Sequence, residues 1–303
     1  MFGVAAAGFS RGRIDPPTLV GMSAILMWSA TVGLYRNISE IFGPIGGSAL
    51  IFTVSGIVAL IHAGPKAFRG HSPRYLLIGG AMFVTYEIAL ALAVGFAQTR
   101  AQSVEVGLIN YLWPSFTIAL AIWAGHARAG IMVIPGILIC LLGVFWAATG
   151  SANFSLAAMV HNIGSNPLPY ILAFIAAITW PLYTILTKGM AQGRSAVPLF
   201  LLATAALLWV YYGVSDQPTL VYNSKGAMMV LTFGVLTTLA YSAWTYGVNH
   251  GNLTLMATAS YFSPLLSVML SSVLLSMVPG LNFWLGASLV TAGSLICLAA
   301  TKR

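Results

Sequence analysis

Glu87 is the one ionisable side chain that lies deep inside any of the long apolar runs of this chain. A carboxylate in the core of a spanning helix costs about 2.5–3.5 kcal/mol, so such a residue usually faces a cavity and works there. Tyr86 precedes it, and Trp28, Tyr111, Trp180, Tyr183, Tyr241, Trp244 and Tyr261 lie near the middle of other apolar runs. A cavity lined by such rings holds an aromatic side chain by edge or offset contacts, each worth roughly 0.5–1.5 kcal/mol. It can also seat an ammonium over a ring face beside the carboxylate. The competing reading is packing, with Glu87 satisfied by Ser, Tyr or backbone partners and each ring serving the core. Bond-making chemistry fits poorly. An intramembrane enzyme needs a nucleophile with a base, paired carboxylates or a metal set. The five histidines, at 62, 71, 126, 161 and 250, have no metal-ligand spacing, so no cofactor and no metal is expected. No Lys or Arg lies in a run core either, which leaves organic phosphates and dicarboxylates without a cationic clamp.

Two proline-centred stretches could position this chemistry. Asn110 to Thr117 reads NYLWPSFT, and Ala259 to Leu266, 150 residues on, reads ASYFSPLL. Tyr261 answers Tyr111 and Pro264 answers Pro114. Proline has no N–H to give the carbonyl four residues back, so the Asn110 and Ser260 carbonyls lose their helical partners. Within a bilayer such acceptors must be met by a neighbouring helix, a water or a ligand. Pro114 and Pro264 are therefore expected to be hinges, and Asn110, Tyr111, Ser260 and Tyr261 to lie at a binding site.

The elements that carry these residues are membrane spans. Charged residues are 6% of the 303, hydrophobic residues 59%, and the mean hydropathy is +0.91. Soluble domains carry roughly 25% charged residues. Ten segments are long and apolar enough to cross a bilayer: 18–37, 43–63, 75–96, 104–124, 130–149, 167–187, 196–214, 227–248, 253–277 and 281–301. The longer connections, Gly150 to Asn166 and Ser215 to Gly226, have room for a short interfacial helix or an ordered loop. The net charge of +8 is scattered between apolar runs, which argues topology and not nucleic acid. With both termini cytoplasmic, Arg11, Arg13, Lys66, Arg69, Arg74, Arg128, Lys188, Arg194, Lys302 and Arg303 fall inside, and only Arg36, Arg100 and Lys225 outside. Phe2 to Phe9 reads as a mobile or interfacial tail, not a cleaved signal, because it is short and its arginines follow it. The sequons at Asn37, Asn153 and Asn252 read as chance, and Cys140 and Cys297, inside apolar runs, as poor disulfide candidates.

The repeat extends beyond the prolines. Gly136 and Gly143 are matched by Gly286 and Gly293, again 150 residues on, and a spacing of seven puts each pair on one helix face. Trp28-Ser29 resembles Trp180-Pro181, and Pro44 and Pro198 both stand near the start of a run. Five spans per half is an odd number, so the second copy enters from the opposite side. The expected fold is an all-α integral membrane protein of ten helices, a 5+5 inverted repeat around a central cavity. Residues 1–150 form the first half and 151–303 the second, within one structural domain.

On these features the chain resembles the drug/metabolite transporter superfamily in its ten-helix EamA branch. Tyr86-Glu87, Glu105-Val106-Gly107 leading into Asn110-Tyr111-Leu112-Trp113-Pro114-Ser115, and Trp209-Val210-Tyr211-Tyr212 resemble the bacterial inner-membrane exporters of aromatic amino acids. That resemblance implies export of phenylalanine, tyrosine and tryptophan. It leaves open an exporter of cationic aromatic compounds. The small multidrug transporters of the same superfamily carry a glutamate in their first helix that is absent here. Substrate contacts are expected at Glu87, Tyr86, Asn110, Tyr111, Trp28, Trp180, Tyr241, Trp244, Ser260 and Tyr261. Beyond its solute the expected partner is the lipid bilayer, with the protein monomeric. Glu105, two residues after a possible N-cap at Ser103, reads as a capping acid, and Arg36 with Glu40 as an interfacial ion pair or, secondarily, an outer gate.

Overall fold

In the computed structural model the described residues are 15–123, 125, 128–149, 155–187, 189–192 and 194–302. The tail expected over Phe2 to Phe9 and the sequon at Asn153 lie outside them. The chain folds into α1 (Pro16–Ser29), α2 (Thr31–Phe42), α3 (Pro44–Ala63), α4 (Gly80–Gly95), α5 (Arg100–Asn110), α6 (Trp113–Trp123) and α7 (Val133–Ala147). It continues with α8 (Leu156–Ser165), α9 (Pro167–Thr187), α10 (Val197–Val214), α11 (Ser224–His250), α12 (Leu253–Ser260), α13 (Ser263–Leu274) and α14 (Leu281–Ala300). Among the described residues, seven stretches are long and apolar enough to cross a membrane: 16–42, 44–68, 75–95, 167–187, 197–214, 224–250 and 281–300. The remaining apolar runs are carried by shorter pieces, α5 with α6, α7 alone, and α12 with α13.

Local chemistry sets most boundaries. Asp15 caps α1, accepting from the Thr18 N–H at 2.8 Å and the Thr18 hydroxyl at 2.9 Å, and these two donors hold its carboxyl below the usual value. Thr18 also accepts from the Asn252 N–H at 2.7 Å, which ties the start of α1 to the α11–α12 turn. Gly43, at φ 74°, turns the chain from α2 into the proline-led α3. The first apolar run is not the single helix expected. It breaks at Ala30, whose N–H reaches back only three residues to the Met27 carbonyl, while the Ser29 hydroxyl bonds the Ile25 carbonyl at 2.7 Å. Such serine back-bonding bends a helix without a proline. Of the two long connections, the first carries α8. The second is an extended loop held by the Tyr212 hydroxyl donating to the Pro218 carbonyl at 2.7 Å. Residues 128–129 pair antiparallel with 301–302.

The most extensive helix contacts join α7 with α14, α3 with α10, α1 with α11 and α4 with α9. In the α7–α14 pair the glycines face each other. A Cβ at Gly143 would stand 2.6 Å from the Gly286 carbonyl oxygen, and one at Gly293 would stand 2.5 Å from that of Gly136. The backbones meet there with no room for a side chain. Both contacts run between the two sequence halves, and each maps onto the other by the same offset of 150 residues.

Candidate functional site

The two proline stretches adopt one geometry. At the first, the Tyr111 and Leu112 N–H groups bond the Leu108 and Ile109 carbonyls, three residues back, and regular bonding resumes with Phe116 to Leu112. At the second, Tyr261 bonds Thr258, Phe262 bonds Ala259, and Leu266 bonds Phe262. Every bond recurs 150 residues on. Pro114 and Pro264 therefore stand in the first turn of α6 and α13, where a missing N–H costs nothing, and the break lies just before them. The expected mid-helix kinks are in fact short tight turns between two helices.

Both turns open onto one cavity of about 180 Å³. Glu87, Tyr86, Asn110, Tyr111, Trp28, Trp180, Tyr241, Trp244 and Ser260 all line it, whereas Tyr261 is buried outside the lining. Glu87 is 5% exposed, and the Tyr241 hydroxyl donates to its Oε1 at 2.5 Å. The side-chain oxygen of Asn110 is buried with no partner among the described residues. The rings form two sets bridged by Phe83, which meets Tyr241 at 5.6 Å and Tyr183 at 5.7 Å. Trp28 meets Tyr241 edge-on at 5.5 Å and Trp244 at 5.4 Å, while Tyr86 packs on Trp180 at 4.7 Å and Trp180 on Tyr183 at 5.4 Å. Tyr183, near the C-terminal end of α9, is not among the lining residues. No Lys or Arg lines the cavity among the described residues, so its single formal charge is the carboxylate. The chamber can hold a ring among rings and offer an ammonium a desolvated counter-charge.

Tyr35, Trp113 and Phe233 also line the cavity and were not expected there. A signal existed for two of them. Ile25, Trp28, Val32 and Tyr35 recur at helical spacing, and so do Phe233, Thr237, Tyr241 and Trp244, each set marking one face.

One end of the cavity is sealed by charge. Glu40 accepts from Arg36 at 2.8 Å and from Arg100 at 2.7 Å. Arg36 also donates to the Ala97 carbonyl, Arg100 to the Leu275 carbonyl at 2.6 Å, and Asn37 to the Leu274 carbonyl at 2.8 Å. The ion pair expected from the sequence is thus a three-residue cluster that joins α2, the start of α5 and the end of α13. Lining residues toward this end, Val32, Tyr35, Leu90 and Phe233, are buried, whereas Thr184 toward the opposite end is exposed. Glu105 is not a cap. Thr99 caps α5, accepting from Gln102 at 3.0 Å, and Glu105 lies beyond the first turn, taking a hydrogen bond from the Tyr170 hydroxyl of α9 at 2.6 Å.

A model of the EamA-like transporter family matches residues 167–299. Over 286 residues the chain is 41% identical to the aromatic amino acid exporter YddG of Salmonella typhimurium and 42% identical to that of Escherichia coli, covering 94% of this chain and 98% of each of those proteins. The chain belongs to the YddG family of EamA-like transporters. A further YddG, from Ancylobacter novellus, is 26% identical over 299 residues, 94% of this chain and 98% of that one. A crystal structure at 24% identity superposes with a TM-score of 0.67 over 95% of this chain and 98% of the other, which shows a shared fold. Within this YddG-family chain, Tyr86-Glu87 and Asn110-Tyr111 stand at the cavity. In the Trp209 to Tyr212 string, outside the cavity lining, the Trp209 indole donates to the Thr53 hydroxyl at 2.9 Å, joining α10 to α3, while Val210 and Tyr211 are exposed.

Proposed function

We propose that the protein is an inner-membrane secondary transporter that exports phenylalanine, tyrosine, tryptophan and related solutes by alternating access, without chemical change to them. The observation that carries this reading is a buried carboxylate with no opposing cation, set among aromatic rings in a chamber sealed at one end. The names of the YddG relatives agree with it. In proteoliposomes, purified protein should move labelled phenylalanine across the membrane and return it unaltered. A second reading, export of cationic aromatic compounds, is favoured by the lack of any cation to meet a substrate carboxylate. It predicts that phenethylamine outcompetes phenylalanine.

The architecture that fits this function is ten spans in a 5+5 inverted repeat, residues 1–150 and 151–303, working as a monomer in the bilayer. It is supported by the 150-residue recurrence of both helix breaks and by the reciprocal glycine contacts of α7 and α14. The basic-residue asymmetry favours both termini in the cytoplasm, which would put the Arg36 cluster at the outer end. Cysteines at Pro73 and Tyr222, introduced into cysteine-free protein, should label from opposite sides. Labelling from the same side would overturn this topology.

The two tight turns would then be where the half-helices swing. Pro114→Ala and Pro264→Ala each supply an N–H that the carbonyl four residues back, of Asn110 or Ser260, can accept once helix runs on through the turn, and so favour a stiff continuous helix over the break. Transport should fall roughly tenfold, about 1.4 kcal/mol of added barrier, at unchanged expression. Wild-type transport by both variants would remove the hinge.

A further inference from the structure

A second cavity, of about 350 Å³, lies between the last turn of α3, the start of α10 and the C-terminal half of α11. Thr238, Tyr241, Ser242, Thr245 and Asn249 all line it, and their spacing puts them on one face of α11. His62 and His250 stand at its edge. A polar stripe on a spanning helix is costly in lipid and marks a face turned to water or to a ligand. Part of this stripe is satisfied internally, Thr238 by the Ser55 carbonyl at 3.0 Å and Thr245 by the Tyr241 carbonyl at 2.8 Å. Ser242 is half-buried and Asn249 is exposed near the end of α11, and among the described residues neither side chain has a hydrogen-bond partner where it lines the cavity.

The chemistry of the two chambers is complementary. The central one holds a carboxylate and no cation. The second is lined by hydroxyls, an amide and two imidazoles, with no carboxylate, Lys or Arg among the described residues. Neutral donors of this kind suit a singly charged carboxylate, whereas a phosphate would call for Arg or Lys. Pro198, Leu201 and Tyr246 supply an apolar wall for a ring. Tyr241 alone among the described lining residues belongs to both chambers, and its hydroxyl is held by Glu87 at 2.5 Å.

We propose that this second cavity is an entry site that takes a zwitterionic aromatic solute by its carboxylate before it passes Tyr241 into the central chamber. The amino group is read afterwards, at Glu87. The assignment rests on the export function proposed above, and it places the entry site on the cytoplasmic side.

The test compares phenylalanine with phenethylamine, which keeps ring and ammonium but lacks the carboxylate. In Ser242→Ala/Asn249→Leu protein the apparent KM for phenylalanine should rise about tenfold, while that for phenethylamine stays within about twofold. An equal loss for both solutes, or no change for either, overturns the entry site. Absence of phenylalanine transport in the wild type would instead overturn the export reading. A binding measurement independent of turnover uses Ser242→Cys in a background of Cys140→Ser, Cys297→Ser and Glu87→Gln. Phenylalanine and phenylpropionate should protect the new thiol from maleimide, and phenethylamine should not. Loss of all protection in this background overturns the proposal. So does protection by vesicles of anionic lipid without solute, which would assign the cavity to a lipid headgroup.

Discussion

Glu87→Gln will abolish the preference of the transporter for solutes that carry an ammonium group. In the wild type, phenylalanine and phenethylamine should both compete for transport, and phenylpropionate, which has ring and carboxylate but no ammonium and so engages the entry site alone, should compete about tenfold more weakly. Glutamine keeps the shape of the side chain and can still meet the Tyr241 hydroxyl, but it has no charge to offer. A hydrogen bond to a charged group is worth about 1.5–3 kcal/mol, so the apparent affinity for phenylalanine should fall roughly ten- to a hundredfold. Phenylpropionate should change little, which closes the gap between the two. Tyr241→Phe is the companion variant. It removes the donor at 2.5 Å yet leaves the carboxylate in place, and the ranking of solutes should survive. If phenylpropionate competes as well as phenylalanine in the wild type, the ammonium is not being read. If Glu87→Gln leaves the ranking untouched, the glutamate serves packing or gating only.

Gly143→Val should cost the protein its folded state in detergent. The new Cβ would meet backbone and not flexible side chain: the Gly286 carbonyl oxygen at 2.6 Å, the Leu289 Cβ at 2.8 Å and the Val290 nitrogen at 2.9 Å. Overpacking a core costs about 1–3 kcal/mol, and more where backbone must move. Helices in lipid gain their association from close van der Waals approach, so forcing α7 off α14 removes the source of the contact itself. Gly286→Val should do the same from the other side, because a Cβ there meets the Gly143 oxygen at 2.7 Å. Gly213, with open space where its Cβ would be, is the control, and Gly213→Ala should melt at or slightly above the wild-type temperature. A Gly143→Val protein that stays monodisperse and melts like the wild type would show that the two helices are free to separate.

Glu40 gathers both Arg36 and Arg100 at one end of the bundle. Many serine and threonine hydroxyls bond the carbonyl four residues back in their own helix, as Ser55 and Thr204 do. Glu87 escapes that pattern, since its partner comes from α11, 154 residues away.

Much of the chamber could be read from the chain alone. Which segments leave water follows from composition, because a run of about 20 apolar residues has no stable alternative to crossing the bilayer. The proline stretches at Asn110 and Ala259 mark where helical hydrogen bonding must fail, and a lone carboxylate at Glu87 marks where the membrane core is not dry. Those are local or compositional facts. The tertiary structure alone decided the rest. It broke the first run at Ala30, where no proline warned of it, moved Glu105 from an expected cap to the Tyr170 hydroxyl, and put Tyr35 and Phe233 on the cavity wall. It also left Tyr261 out of the lining although its repeat partner Tyr111 is in, and it gathered Arg36 and Arg100 on Glu40. The reason is that in water an apolar stripe tells a helix which face to bury, whereas a spanning helix is apolar on every side. Which face meets a neighbour is then settled by close fit between residues far apart in sequence, such as Gly143 against Gly286, and that fit exists only once the helices are assembled.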